Sequence, residues 1–139
     1  MKRNEPISHI MSKDVLTVHV AQKLSEVRAL LLEHGIHHIP VVSGTRLVGM
    51  ISATDMMRLS LTAYGGDERS LDTVLDHQFS IEEVMIKELV TLDKKGTVRE
   101  AAAKLRGGHF HGLPVVDEEG NLEGLVTTTD LINYLLDQY

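Results

Sequence analysis

The chain has no cysteine in 139 residues. That excludes a disulfide framework, thiolate catalysis, redox relays and any cysteine-containing zinc site, and makes the cytoplasm the expected compartment. Tryptophan is also absent, and two Phe and three Tyr leave few platforms on which single-stranded bases could stack. Basic residues are in short supply: 14 Lys+Arg stand against 20 Asp+Glu, for a formal net charge of −6. Such a field repels polyanions, whereas a nucleic-acid binder normally carries a basic face, so no nucleic-acid partner is expected. No uninterrupted apolar stretch approaches the roughly 20 residues that span a bilayer. The opening Met1-Lys2-Arg3-Asn4-Glu5-Pro6 leads into no apolar secretory segment, so neither membrane insertion nor export is expected. What remains, 42% hydrophobic and 24% charged residues, suits a soluble globular chain, long enough to bury about two-thirds of its unfolded surface without staples.

The chain repeats itself. Ile7-Ser-His-Ile-Met11 lies on Ile81-Glu-Glu-Val-Met85 at an offset of 81 − 7 = 74. The match continues through Lys13/Lys87, Thr17/Thr91, Glu26/Glu100, Ala29/Ala103, Leu31/Leu105, His37/His111 and Pro40-Val41-Val42/Pro114-Val115-Val116. One residue is then inserted, where Ser43-Gly44-Thr45-Arg46 faces Asp117-Glu118-Glu119-Gly120-Asn121, and Gly49/Gly124, Thr54/Thr129 and Asp55/Asp130 follow at an offset of 75. An extra residue at a Gly-containing turn is what a hairpin loop tolerates.

Each copy reads alike. Val15–Val18 and Leu89–Leu92 have strand length and composition. Leu24, Val27 and Leu31 keep helical spacing, as do Val98, Ala101 and Leu105, with Thr97-Val-Arg-Glu100 as a capping box and Gly35 and Gly107-Gly108 as stop signals. Two strands follow, Ile39–Val42 with Leu47–Ile51 and Leu113–Val116 with Leu122–Val126, then a helix from near Thr54 or Thr129. The expected fold class is α+β (mixed α/β), a β-α-β-β-α unit used twice. The first repeat covers 1–62, a linker with a short helix around Leu71 to Leu75 covers 63–80, and the second repeat covers 81–139. Neither copy buries much alone, so the two are expected to pack face to face as one module.

The sharpest motif is Gly49-Met-Ile-Ser52-Ala-Thr54-Asp55 and its counterpart Gly124-Leu-Val-Thr127-Thr-Thr129-Asp130. A Gly inside a strand admits close approach to the backbone, by a ligand or by another strand. Hydroxyls then arrive where a strand ends and a helix begins, where exposed N–H groups suit a phosphate. The Asp one step further can accept from a vicinal diol, as an acidic residue does for ribose in dinucleotide-binding folds. The same Ser52-x-x-Asp55 and Thr127-x-x-Asp130 spacing also reads as a capping box with Asp in the usual Glu place.

These residues resemble the tandem CBS-domain pair, named after cystathionine β-synthase and also called a Bateman module, here as a free-standing protein. The resemblance rests on the Ile-x-x-x-Met opening, Thr17 or Thr91, the apolar-Pro-Val-Val strand and the Gly-x-x-Ser/Thr-x-x-Asp motif, in that order and twice. It implies two repeats about a pseudo-two-fold axis, with clefts between them that take AMP, ADP, ATP or S-adenosylmethionine in a regulatory role. Carried over, Asp55 and Asp130 are ribose-diol acceptors, with Ser52, Thr54, Thr127 and Thr129 near ribose and phosphate. Thr17 and Thr91, with Ile39-Pro40 and Leu113-Pro114, are the adenine-facing walls. His37, His38 and His111 stand where related proteins set a His-Arg pair against phosphates. The Arg position holds His38 in the first repeat and Gly112 in the second, so the first site is expected to hold the more phosphorylated ligand.

Other classes find less support. Eight histidines invite a metal reading, but His34 and His37 straddle the helix end at Gly35 and no carboxylate pattern completes a set, so no metal is expected. The chain lacks a Gly-x-Ser-x-Gly elbow, a Walker loop, His-Glu-x-x-His and Gly-x-Gly-x-x-Gly, and neither catalysis nor a catalytic cofactor is expected. Alternatives to adenine-nucleotide sensing are a structural or dimerising module with empty clefts, and binding of NAD or a cyclic dinucleotide. Apolar residues at Met56–Leu59 and Leu131–Leu136 predict a homodimer, and a regulated protein partner would receive the signal.

Overall fold

The computed structural model describes residues 4–63 and 68–139. After a 3-10 turn at Ile7–His9, the first sheet region comprises β1 (Val18–His19), α1 (Leu24–His34), β2 (His38–Ser43), β3 (Arg46–Ser52) and α2 (Ala53–Ala63). Two further helices follow, α3 (Glu68–Gln78) and α4 (Ile81–Val84), and then β4 (Leu92–Asp93), α5 (Val98–Leu105), β5 (Gly112–Val116), β6 (Leu122–Thr127) and α6 (Thr128–Asp137). Two three-stranded sheets result, in the orders β1-β2-β3 and β4-β5-β6, with β1 parallel to β2, β4 parallel to β5, and β6 antiparallel to β5. The fold is the expected mixed α+β architecture used twice.

The helices form where the periodicity places them. Leu24, Val27 and Leu31 of α1 are buried, as are Val98, Ala101 and Leu105 of α5. Gly35 closes α1 in the left-handed region at φ 60°, and Thr97 caps α5 by accepting from the Glu100 N–H at 3.2 Å. The strands expected at 15–18 and 89–92 shrink to two residues each. The register pairs Val18 with Val41 and Leu92 with Val115, so one step earlier Thr17 and Thr91 meet Pro40 and Pro114. Proline has no N–H to offer a ladder, and pairing stops there.

Compact units do not follow the repeats. One unit takes residues 16–44, 48–63 and 68–89, and the other residues 4–15, 45–47 and 90–139. The leader of each repeat therefore belongs with the sheet of the other. Ile81, fully buried, and Met85 sit in the first-sheet core with Leu24, Ile39, Ile51 and Leu75, while Ile7, fully buried, joins Leu92, Leu113, Val115 and Val126 in the second-sheet core. Main-chain bonds fix each leader: Ile86 and Met50 exchange bonds of 2.9 and 3.1 Å, and Ser12 and Leu125 exchange bonds of 2.9 and 3.0 Å.

The segment 63–80 holds an eleven-residue helix, α3, longer than the short one expected. Its polar composition reflects an outer face, while Leu71 and Leu75 enter the first-sheet core. The start of α1 needs it. Lys23, the N-cap residue, makes no side-chain cap, and Asp76 of α3 instead accepts from the Ser25 N–H at 2.9 Å and the Ser25 hydroxyl at 2.6 Å. Residues 64–67, read as part of the linker, lie outside the described residues.

At the β5–β6 turn Asp117 accepts from the Asn121 side-chain amide at 3.0 Å and from the backbone N–H groups of Asn121 and Glu119 at 2.9 Å each. The Asn121 side chain foremost, then these N–H groups, hold the Asp117 carboxyl below its ordinary value. On α6 the Tyr134 hydroxyl is buried and has no hydrogen-bond partner among the described residues. An unmade bond of this kind costs about 1–3 kcal/mol. Tyr134→Phe is therefore expected to raise stability by about 1 kcal/mol in urea denaturation. A loss of similar size would show that the hydroxyl is satisfied in solution.

Candidate functional site

Each sheet brings its motif residues to one edge. In the second unit β4 and β5 start there and antiparallel β6 ends there, with Gly112 opposite Thr127. Thr91 precedes β4, and Thr127 is the N-cap of α6. The chain turns through a bond from the Thr128 N–H to the His111 carbonyl at 3.0 Å. In the first unit the Ala53 N–H donates to the His37 carbonyl at 2.8 Å, and Ser52 ends β3 as Thr127 ends β6. The two edges are built alike.

The capping box is real in both. The Asp130 N–H donates to Thr127 Oγ1 at 3.2 Å, and Asp130 Oδ2 accepts from the Thr127 N–H at 2.8 Å. The Asp55 N–H donates to Ser52 Oγ at 3.0 Å, and Asp55 Oδ2 accepts from the Ser52 N–H at 3.4 Å. Each carboxylate uses Oδ2 for its own helix, and Oδ1 makes no hydrogen bond among the described residues. Capping and ligand recognition thus do not compete: one oxygen sets the rotamer, and the other remains an acceptor at the helix N-terminus. Both residues are half-buried, and Thr54 and Thr129 are exposed on the first turns of α2 and α6. Asp55 also lines a cavity of about 390 Å³ with Arg58, Leu59, Phe79, Glu83 and Val84.

The strand glycines serve a chain segment. A Cβ at Gly124 would lie 2.7 Å from Met11 Sδ and 2.8 Å from the Ser12 carbonyl oxygen, and one at Gly49 would meet the Met85 side chain. The Ile-x-x-x-Met opening and the Gly of the motif are therefore two halves of one contact, each made across repeats.

The other expected residues differ in burial. Ile39 and Leu113 are fully buried in the cores, and Pro40 and Pro114 are buried beside them. Thr17 and Thr91 are half-buried at the sheet edges, while His37 and His111 are exposed and His38 is half-buried at the start of β2. His37 also lines a cavity of about 480 Å³ between α1 and α2, walled by Leu31, Leu32, Ile36, Met56 and Met57. One residue was not anticipated: Lys104 of α5 donates from Nζ to the Thr91 carbonyl at 2.7 Å. Its signal in the sequence is the contrast with Leu30, the aligned residue of the first repeat. Among the described residues no group of three His, Asp or Glu could hold a metal, and no helix is long and apolar enough to cross a membrane.

Residues 7–62 and 81–137 each match the CBS domain. The chain belongs to the CBS domain family. The CBS pair is similar to the protein MJ1225 of Methanocaldococcus jannaschii, 27% identical over 132 residues, which cover 94% of this chain and 47% of that protein. The chain thus spans about half the length of that relative. Among solved structures it resembles the CBS domain pair of protein MJ0100, in complex with 5-methylthioadenosine and S-adenosyl-L-methionine, at 26% identity and TM-score 0.78, covering 98% of this chain and 99% of that one. CBSX2 in complex with AMP shares the fold at 21% identity and TM-score 0.80, covering 96% of this chain and 98% of that one.

Proposed function

We propose that this CBS pair is a regulatory module that binds adenosine-containing ligands, AMP, ADP, ATP or S-adenosylmethionine, at the edges carrying Asp55 and Asp130. The observation that carries the reading is the divided carboxylate: Oδ2 is committed to the cap while Oδ1 is left as an acceptor. Ribose offers two adjacent hydroxyl donors, and bonds to a charged acceptor are the stronger kind. Ser52, Thr54, Thr127 and Thr129, at or beside the helix N-termini, suit the phosphate or the ligand's polar tail. Thr17 and Thr91, left out of their ladders by Pro40 and Pro114, face the base with their main-chain groups, and His37, His38 and His111 flank the edges. The ligands named for the MJ0100 pair both contain adenosine, which supports the class. A ligand that favours one arrangement of the module shifts that equilibrium by its differential affinity, and a protein partner reads the shift. The role is regulatory rather than catalytic, and a chain without cysteine suits the reducing cytoplasm. A thermal-shift panel of adenosine compounds tests this: a ligand at 100 times its Kd adds about 2.7 kcal/mol to the native state. No shift with any compound would favour a structural module.

We further propose that two copies pair. On α2, Met57 and Leu61 are 64% and 73% exposed, and on α6 Ile132 and Leu136 are 53% and 65% exposed. Closed two-fold symmetry is the commonest way to cover such faces. Light scattering should give twice the monomer mass, with Leu136→Glu shifting it toward monomer. Wild type that is monomeric at micromolar concentration would overturn this.

A further inference from the structure

We infer that Lys104 makes the second-repeat site select a nucleotide whose base presents a carbonyl, a 6-oxopurine, over adenine. The inference rests on the reading above that Thr91 faces the base, and it narrows that reading at the second edge, where a 6-oxopurine replaces adenine as the preferred base. The Thr91 carbonyl points away from β5, because in the parallel register it is Leu92 whose main-chain groups face that strand. Left alone, it is an acceptor suited to the exocyclic amino group of adenine. Here it already receives a bond from Lys104 Nζ at 2.7 Å. An ammonium carries three donors and no acceptor, so what this end of the site holds out to a base is N–H. The 6-amino group of adenine is itself a donor, whereas the 6-position of guanine or hypoxanthine carries an accepting oxygen. A donor set against a donor leaves both without partners, and a site built around one hydrogen-bonding pattern rejects a ligand with the reverse pattern strongly.

The first repeat lacks the device. Its aligned residue is Leu30, packed against the first-sheet core, and no ammonium from that position reaches Thr17. The two edges, otherwise built alike, therefore differ in base recognition, adenine at the first and a 6-oxopurine at the second. The difference falls at the base and not, as the His38/Gly112 contrast alone suggests, only at the phosphate. Lys104 lies on the exposed face of α5, so replacing it leaves the core intact.

The test isolates the second site in an Asp55→Asn background and titrates AMP, GMP, adenosine and guanosine calorimetrically, with and without Lys104→Leu. The expected result is GMP binding about tenfold or more tighter than AMP, guanosine likewise tighter than adenosine, and a preference that Lys104→Leu reverses toward adenine. Agreement between nucleosides and nucleotides assigns the effect to the base rather than to attraction between Lys104 and phosphate. AMP preferred with Lys104 in place, or a ratio unchanged by Lys104→Leu, overturns the inference and leaves the proposed function standing. No binding of any of the four, in this background or in wild type, overturns both.

Discussion

Gly124→Ala is expected to destabilise the protein by about 2–4 kcal/mol, roughly twice the cost of Gly49→Ala, although the two glycines hold the same place in the repeat. The new methyl at 124 would press on the Ser12 carbonyl oxygen at 2.8 Å as well as on Met11 Sδ at 2.7 Å. Ser12 is fixed by its exchange of main-chain bonds with Leu125, so giving way means breaking them. At 49 the nearest atoms all belong to the Met85 side chain, and a thioether adapts more readily than backbone. The pairing with partners should differ accordingly. Met85→Ala, costly alone because Met85 is in the core, combined with Gly49→Ala should cost clearly less than the sum. Met11→Ala should relieve Gly124→Ala only in part, because the Ser12 carbonyl remains. Urea denaturation of the two double-mutant cycles measures both couplings. Equal costs at 49 and 124, or full relief by Met11→Ala, would show that the leader yields as a whole.

This exchange of leaders marks the limit of what local pattern carries. The repeat, the buried stripes of α1 and α5 and the cap at Thr97 were all legible, because periodicity and capping act within a few residues. Which sheet Ile7 and Ile81 would enter was not, since both leaders carry the same Ile-x-x-x-Met-x-Lys pattern and either sheet could bury them. The strand Gly left a ligand and another segment open, and Met11 and Met85 resolve that choice. The strands at 15–18 and 89–92 looked longer because their own apolar runs carry no sign that Pro40 and Pro114 stand opposite. In α3 the tertiary bonds of Asp76 and the burial of Leu71 and Leu75 outweigh a polar composition. At the site, Ser52-x-x-Asp55 and Thr127-x-x-Asp130 read as a cap and as a proposed diol acceptor; the cap forms in both and leaves Oδ1 as an acceptor. Ile39 and Leu113 were expected to face a base, yet their side chains fill the cores, because the central strand of each sheet is covered on both faces. Lys104 escaped notice because the motif spacing does not include it.

The divided carboxylate is the central claim, and Asp→Asn separates its two roles. An asparagine oxygen can take over the cap, so Asp55→Asn and Asp130→Asn should each cost no more than about 1 kcal/mol of stability without ligand. At the other position, the accepting Oδ1 becomes an NH₂ group that faces hydroxyl donors with donors of its own. The loss of binding should be about 1.5–3 kcal/mol per site, or roughly 10- to 150-fold. Calorimetric titration of AMP, GMP and S-adenosylmethionine into wild type and the two variants, well below their melting temperatures, measures this most directly. The account predicts at least a tenfold loss at one site in each variant. Unchanged affinity in both would contradict it and leave Asp55 and Asp130 as helix caps alone.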